Sequence, residues 1–439
     1  MKIKGIVNKG FIKVKGFFVT VWTYIKRFFV FLYSLHLIKK LKSSYSSRLA
    51  KEGIEDSEYR RASVNFWAVG VVSIILLIAL ALAVVVFGGN NISFDKMYYL
   101  YRDVNAMGRI GEGENTRLDY TLPKKNQDFT LFKNGLCVAG DDEIQIFNKN
   151  GNQTLSVSTT YSNPRALSSK EFVVVYDLGG RGFSAYNSFS DIYSETREYP
   201  ISTAALSDEG ILAIVGQTKA YSCELTVYDS EFAKQFSYSR NDYAVSCDFD
   251  ATGRYIALVS LSSRNGDYLT SLTIIDTKKQ EVKREEQIEG VLPYECRFMD
   301  GGRIALACSD RVLVFNDKLE LYSEYEYPSL ELWDMSLTDN GVALIFINDR
   351  LNLKNTLVVL DSKGKEKLEY EYTGNAYDTV MAYGCVYIAE YTGIFRIDYS
   401  TKNESFAELD SDIGRIIVCD KDRVIVARQS VADVIVSFG

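Results

Sequence analysis

Histidine is nearly missing from this chain: one in 439 residues, His36. Proline (five), tryptophan (three) and cysteine (seven, with no CxxC pair) are also sparse. Each shortage excludes a kind of chemistry. With no histidine after position 36, a Ser-His-Asp or Cys-His nucleophile is unavailable there, as are most zinc sites. There is no Walker loop, and Gly111-Glu112-Gly113 lacks the strand–helix unit that a dinucleotide fingerprint requires. An odd number of irregularly spaced cysteines argues against a disulfide framework. They read as buried thiols on apolar strands. Cys296 and Cys308, nearly symmetric about Asp300-Gly301-Gly302, are the one pair placed to bond. No calcium-loop pattern stands behind Asp141-Asp142, so neither a metal nor a cofactor is expected.

What the chain does have is unevenly distributed. Residues 1–65 carry fourteen basic and four acidic side chains, a balance of +10; residues 66–89 carry none; the remainder carries 36 basic and 53 acidic, a balance of −17. The uncharged wall, Phe66 to Phe87, is 22 residues with Ser73 as its only polar side chain. At about 1.5 Å per residue it reaches about 33 Å, enough to cross the hydrocarbon of a bilayer. A buried helix of a soluble domain would show a polar stripe, and this one shows none. Lys51, Arg48, Arg60 and Arg61 precede it, against Lys96 and Arg102 after it, so the positive-inside rule places the N-terminus in the cytoplasm. The expected organisation is a basic cytoplasmic arm (1–65), a single transmembrane helix (66–88), a stalk (89–115) and an extracytoplasmic domain (116–439) at the cell membrane.

In the arm, aromatic residues alternate with cations over 11–40, among them Trp22, Lys26, Arg27, Lys39 and Lys40. This composition suits a helix lying in the membrane interface on anionic lipid. A second span over 11–38 is the alternative, made costly by Lys26-Arg27 inside it. The rings point to membrane rather than to nucleic acid.

The last 324 residues repeat with a period near 41, a spacing typical of propeller blades. Glycine precedes an apolar run at Gly135, Gly210, Gly253, Gly302, Gly341 and Gly384, with Lys170 and Asp422 in the same place. An Asp or Asn closes another strand at Asn148, Asn187, Asp229, Asp276, Asp317, Asp361 and Asp398, as Asx turns do. All five prolines fall between repeats or at strand ends, where a missing donor is tolerated. The fourth repeat divides into strands at 244–249, 254–261, 270–276 and 281–287. Outer strands alternate (KREEQ, KLEYEYT) and inner ones are continuously apolar, as stacked blades require. Eight repeats result, the last one strand short. Residues 116–123, a lone strand ahead of the first repeat, would complete it. The fold expected is an all-β, eight-bladed propeller on a single transmembrane helix, with seven blades as the alternative.

On this rhythm, residues 116–439 resemble WD40-like and quinoprotein-like propellers, although the GH and WD dipeptides and the regular blade tryptophans are absent. The whole layout is similar to an uncharacterised family of membrane-anchored proteins of clostridia-like Gram-positive bacteria. That resemblance implies a surface protein of unknown role, in which free thiols would suit an anaerobic host.

One pattern bears on function. The link into the innermost strand carries an aromatic in four consecutive repeats, Tyr243, Tyr294, Trp333 and Tyr377, each beside an acid: Asp242, Glu295, Asp334 and Asp378. Rings that stack and acids that accept hydrogen bonds suit a peptide or sugar at a channel mouth; packing between blades would explain the same residues. The expectation is a binding or scaffolding module for a cell-envelope protein, peptide or glycan, not an enzyme. The alternatives are a glycan-acting hydrolase or lyase using channel carboxylates, or a transmembrane sensor.

Overall fold

The computed structural model describes residues 43, 45–48, 58, 62–67, 69–71, 73–74, 77, 117–409, 413–435 and 438. The chain divides into two units, Met1–Tyr98 and Tyr99–Gly439. In the first, the described residues are helical, and Tyr45 stacks on Trp67 with centroids 4.7 Å apart. Among the described residues no helix is long and apolar enough to cross a membrane. Most of the predicted span 66–88 lies outside them, as do the interfacial segment 11–38, Trp22, Lys26, Arg27, Lys39, Lys40 and the stalk.

The second unit is eight four-stranded antiparallel sheets, the blades of a propeller. This removes the seven-bladed alternative. Numbered in chain order, blades 1–7 occupy 127–158, 164–196, 201–240, 243–289, 293–326, 331–373 and 378–408; blade 8 combines 415–435 with Arg117–Asp119. Its order is Arg117–Asp119, Val431–Ile435, Val424–Ala427, Arg415–Val418, so the first strand of the domain is the outermost strand of the last blade, as the lone strand predicted. Arg117, Leu118 and Asp119 pair with Asp433, Ala432 and Val431, and the Tyr120 hydroxyl donates to the carbonyl of Arg428 across the join.

The core is not one mass but eight wedges. Each apolar cluster joins two neighbouring blades: Ile304, Leu306 and Cys308 of blade 5 meet Val259 and Leu272 of blade 4, and the remaining clusters follow the same rule around the ring. Second strands are therefore buried on both faces, which is why they read as unbroken apolar runs.

The Asx marks do what the pattern implied. Asn148, Asn187, Asp229, Asp276, Asp361 and Asp398 each accept two backbone amides of the following turn. In blade 5 the residue is Asn316, not the expected Asp317: the strand ends one residue earlier, and Asn316 takes the amides of Lys318 and Glu320. The fourth turn position is left-handed, glycine at Gly151 and Gly364 but Phe232 (φ 62°) and Leu319 (φ 61°) elsewhere. Those two side chains are buried against the preceding blade, which offsets the strain.

Blade 4 departs from expectation in length. Its second and third strands run Tyr255–Arg264 and Asp267–Asp276, beyond the predicted 254–261 and 270–276. Asn265 and Gly266, both at positive φ, form a tight two-residue turn that lets the ladder continue to its tip. The proposed Cys296–Cys308 bond is absent; all seven cysteines are free thiols. Cys296 lies opposite Leu306, and Cys308 opposite Pro293 beyond a bulge at Tyr294. The two are thus diagonal neighbours on one face, about 7–8 Å apart in sheet geometry, too far for a disulfide.

Candidate functional site

Each innermost strand abuts the next, closing a ring around the axis. The register picks out one equivalent residue on each: Asp128, Arg165, Thr203, Ser246, Glu295, Asp334, Asp378 and Arg415, opposite Ala139, Tyr176, Val215, Val259, Ala307, Ile345, Ala389 and Ala427. An innermost strand is a sheet edge, so its axis-side amides lack ladder partners and need another acceptor. The ring supplies them. Asp128 Oδ2 accepts from the amide of Ala166 (3.0 Å), Ser246 Oγ from Cys296 (3.2 Å) and Asp378 Oδ2 from Ile416 (2.8 Å), each one blade on. Two residues deeper, Asp248 takes the amide of Phe298 (2.7 Å) and Ser336 that of Met381 (3.0 Å). Arg415 bridges Asp128 (2.6 Å) and Asp378 (4.0 Å) where blades 7, 8 and 1 meet.

These contacts assign the predicted acids. Asp334 and Asp378 stitch blades: burial raises both carboxyls above their ordinary range, while hydrogen bonds from Thr379 of blade 7 to Asp334 and from the amide of Ile416 to Asp378 pull them back. Asp242 is held by Arg240 through Nε (2.9 Å) and Nη2 (2.6 Å), and that guanidinium also pairs with Glu285. Glu295 is raised by burial, against the pull of Arg297. Burial likewise lifts Asp248 to about 6, opposed by Arg297 at 3.5 Å.

The aromatic residues stand apart from this work. Links into innermost strands and hairpins between second and third strands share one face of the disc, here called the mouth. Tyr294 and Trp333 are bulged residues without a ladder partner, and Tyr377 immediately precedes Asp378 in the same place. A bulge re-aims a side chain out of the sheet. Tyr243 is out of step: the equivalent place in blade 4 is Val245, two residues further on. The arc is therefore three rings in register plus one at its end. All four are open to solvent, at 62 % (Tyr243), 46 % (Tyr294), 51 % (Trp333) and 53 % (Tyr377), so they are not plugs between blades. Trp333 is also fixed: its indole N–H donates to the carbonyl of Ala376 (2.7 Å), and Arg350, paired with Glu331, lies 5.8 Å from its ring centroid.

More exposed apolar surface surrounds the arc. Tyr221, Tyr268, Leu351, Leu353 and Tyr391 sit on hairpins of blades 3, 4, 6 and 7 at the mouth, and Leu330 on the link into blade 6. Among the described residues, blades 8, 1 and 2 add only Leu122 to that face. The mouth is thus an apolar, aromatic crescent over blades 3–7.

Sequence reading missed a group at the junction of blades 6 and 7. Glu390 ends the second strand of blade 7 and makes no hydrogen bond or ion pair among the described residues; burial alone pushes its carboxyl up to about 7. It lies against Gly374, where a Cβ would come within 2.5 Å of Oε1. The Tyr372 side chain is only 8 % exposed, its hydroxyl has no hydrogen-bond partner, and the Glu390 and Asp334 carboxylates act on it. In the aligned repeats the place of Glu390 is Gly140, Asp177, Gly216, Ser260, Cys308, Phe346 and Arg428, so a carboxylate recurs there only in blade 2, where Asp177 accepts the amide of Asn163 (2.8 Å). Among the described residues no group of three His, Cys, Asp or Glu could hold a metal ion.

Comparison with known proteins agrees with this architecture. The chain belongs to DUF5711, a family of unknown function whose model matches residues 115–436. No curated protein matches it. Among solved structures it is similar to the quinohemoprotein alcohol dehydrogenase ADHIIG of Pseudomonas putida HK5, at 10% identity over 71% of each chain with a TM-score of 0.50. It is also similar to the β-propeller domain of Myceliophthora thermophila Cps50 (Swd1), at 12% identity over 62% of this chain and 96% of that one, TM-score 0.45. The WD40 domain of Neurospora crassa Pan2 gives 12% identity, 60% and 85% coverage, and a TM-score of 0.43. At such identities the likeness is one of fold.

Proposed function

We propose that this propeller is a protein- or peptide-binding module, held outside the cytoplasm at the cell envelope by the span 66–88, with the mouth of blades 3–7 as its binding face. The observation that carries the reading is the one-sided exposure of Tyr243, Tyr294, Trp333 and Tyr377 with the hairpin residues around them. Exposed large rings free of core duties are what hot spots are made of, and Trp333, held by Ala376, has little conformational entropy left to lose on binding. Binding is favoured over catalysis because Asp334 and Asp378 are committed to backbone amides of adjoining blades. The membrane part rests on the charge break around residues 66–89 and on the basic aromatic arm, whose partner would be anionic lipid.

Two experiments test this. Replacing Tyr294, Trp333 and Tyr377 together by alanine should abolish crosslinking of envelope partners to the full-length protein in cells while leaving its melting unchanged; unfolding of the variant, or undiminished crosslinking, refutes the binding face. Protease added to intact cells should degrade residues 116–439 and spare the arm; a protected propeller refutes the topology.

A further inference from the structure

The mouth is not level. Counted from the residue that faces the ring, the second strand runs on to Arg264 in blade 4 (from Val259) and to Asp349 in blade 6 (from Ile345). In blades 1, 2, 3, 5 and 7 it stops at the very next residue, Gly140, Asp177, Gly216, Cys308 and Glu390, and in blade 8 at Ala427 itself. At about 3.3 Å per residue the hairpins of blades 4 and 6 stand about 10–13 Å above the others. Blade 5 lies low between them, with only Ser309-Asp310 in its hairpin, and forms the floor of a slot. Ser263 and Tyr268 share the face of blade 4 that carries Val259 and Leu272 toward blade 5. Asn348 and Thr356, bonded to each other (2.8 Å), line the opposite wall, on the face of blade 6 that carries Phe346 and Val358. Sheets stacked at about 10 Å leave about 20 Å between blades 4 and 6, so the slot is one hairpin thick. Leu351, at the tip of the blade 6 hairpin, is 94 % exposed.

We infer that the mouth is a two-fold contact with a second copy of this chain, in which the raised hairpin of blade 6 enters the slot over blade 5 of its mate. The inference rests on the binding role proposed for that face and names its occupant. The exposed rings Tyr243, Tyr294, Trp333 and Tyr377 open blades 4, 5, 6 and 7, so their arc is centred on the boundary of blades 5 and 6. A two-fold axis along that boundary lays Tyr294 over Trp333 of the second copy and Tyr243 over its Tyr377. An isologous contact requires such a patch, one that maps onto itself. The same axis sets every raised hairpin over a low blade: blade 6 over blade 5, and blade 4 over blade 7. An axis through blade 5 would drive the two raised hairpins together. An axis between blades 4 and 5 would turn Tyr377 and Tyr391 toward blade 2, whose mouth exposes no large apolar side chain among the described residues. Charge agrees with the first arrangement. Lys354, on the raised hairpin, and Glu326, at the mouth end of the outer strand of blade 5, make no ion pair among the described residues, and the axis brings them together across the contact. Leu351 then leaves water for a slot that holds Tyr268 and Tyr294, a favourable burial. An unrelated protein would have to match this relief independently, whereas a copy of this chain carries hairpin and slot side by side.

The test is the oligomeric state of the full-length protein in detergent micelles, read by light scattering, together with disulfide capture in cells. The wild type should be a dimer, and Leu351→Asp should weaken association about tenfold or more with melting unchanged. Copies carrying Leu351→Cys should crosslink on oxidation to copies carrying Ser309→Cys, and neither to copies carrying Lys149→Cys on the opposite face nor to copies with native cysteines alone. Lengthening the blade 5 hairpin by about four residues between Ser309 and Asp310 fills the slot and should give a monomer; where that variant fails to fold, the cysteine pair decides. A wild type that stays monomeric at micromolar concentration, a dimer indifferent to Leu351→Asp, or no crosslink between positions 351 and 309 overturns the inference. The aromatic triple variant separates the two readings: if the wild type is monomeric yet crosslinks a different envelope protein that the triple variant loses, the binding face stands and the second copy is not its occupant.

Discussion

Two adjacent junctions of the ring are built on one plan and filled differently. Between blades 5 and 6, Tyr327 closes the outer strand and its ring meets Phe346 edge-on at 5.3 Å. Between blades 6 and 7, Tyr372 holds the same place, stacks on Phe395 at 6.0 Å, and finds Glu390 where its neighbour finds Phe346. The backbones match up to Ile345 and Ala389; beyond them Phe346 pairs with Leu332 across a bulge, whereas the innermost strand of blade 7 begins only at Asp378. The lesson is that wedge packing is robust enough to carry a carboxylate at the end of a second strand, Glu390 here and Asp177 in blade 2, without losing the blade.

The comparison breaks most easily at its dry side. Phe346→Glu places a carboxylate at a fully buried position and removes a ring from the cluster of blades 5 and 6. A loss of about 3–5 kcal/mol is expected, seen as a large fall in calorimetric melting temperature; a mild effect would mean that this junction, too, tolerates charge.

A smaller effect sharpens the wet side through pH. The Glu390 carboxyl is raised from 4.5 to about 7 in the folded state. A raised acid favours the folded form while protonated, so its contribution is complete below about pH 4.5 and is lost as pH rises through 7. Glu390→Gln should therefore match the wild type near pH 4.5 and exceed it by about 1–2 kcal/mol at pH 8, allowing for partial exposure. Equal pH profiles of urea denaturation would show that Glu390 is well solvated. Asp398 behaves oppositely: hydrogen bonds from the amides of Thr401 and Ser400 hold it below its ordinary value, so its support disappears only on acidification below about 4.

The smallest change compares the phenols. Tyr327 and Tyr372 both bury an unpartnered hydroxyl. Tyr327→Phe and Tyr372→Phe should each be neutral or stabilising by up to about 1 kcal/mol. Calorimetric melting of each variant checks this; a clear loss at either would mean that its hydroxyl has a partner in solution.

Much of this was legible because blades repeat backbone chemistry. The hairpin glycines, the Asx marks and the lone strand at 116–123 are local signals, and they placed eight blades and the closure of the ring. Register was less legible. The offset of Tyr243, the separation of Cys296 from Cys308 and the shift from Asp317 to Asn316 all depend on bulges or strand ends that shift by one residue, and apolar runs buried on both faces carry no alternation to fix them. Asn265-Gly266 was a readable turn signal that the strand limits did not use. Glu390 was invisible as a motif, since an acid, Asp177, also ends the second strand of blade 2 and only the contacts of each tell them apart. The duty of Asp334 and Asp378 as acceptors for the neighbouring blade lies between repeats, where no spacing within one repeat can reveal it.

The clasp of the eighth blade carries a temporal and mechanical consequence. Tyr120 and the Arg428 carbonyl it reaches are 308 residues apart, so a ribosome makes one half of the fastening at the start of the domain and the other at its end. Until the final hairpin emerges, the disc is an open arc whose two raw edges are exposed to aggregation or to chaperones. Once shut, it is latched by a strand of only three residues immediately following the segment that would lead to the bilayer. A pull on that end would load the latch first, opening blade 8, which borders the aromatic crescent at blade 7.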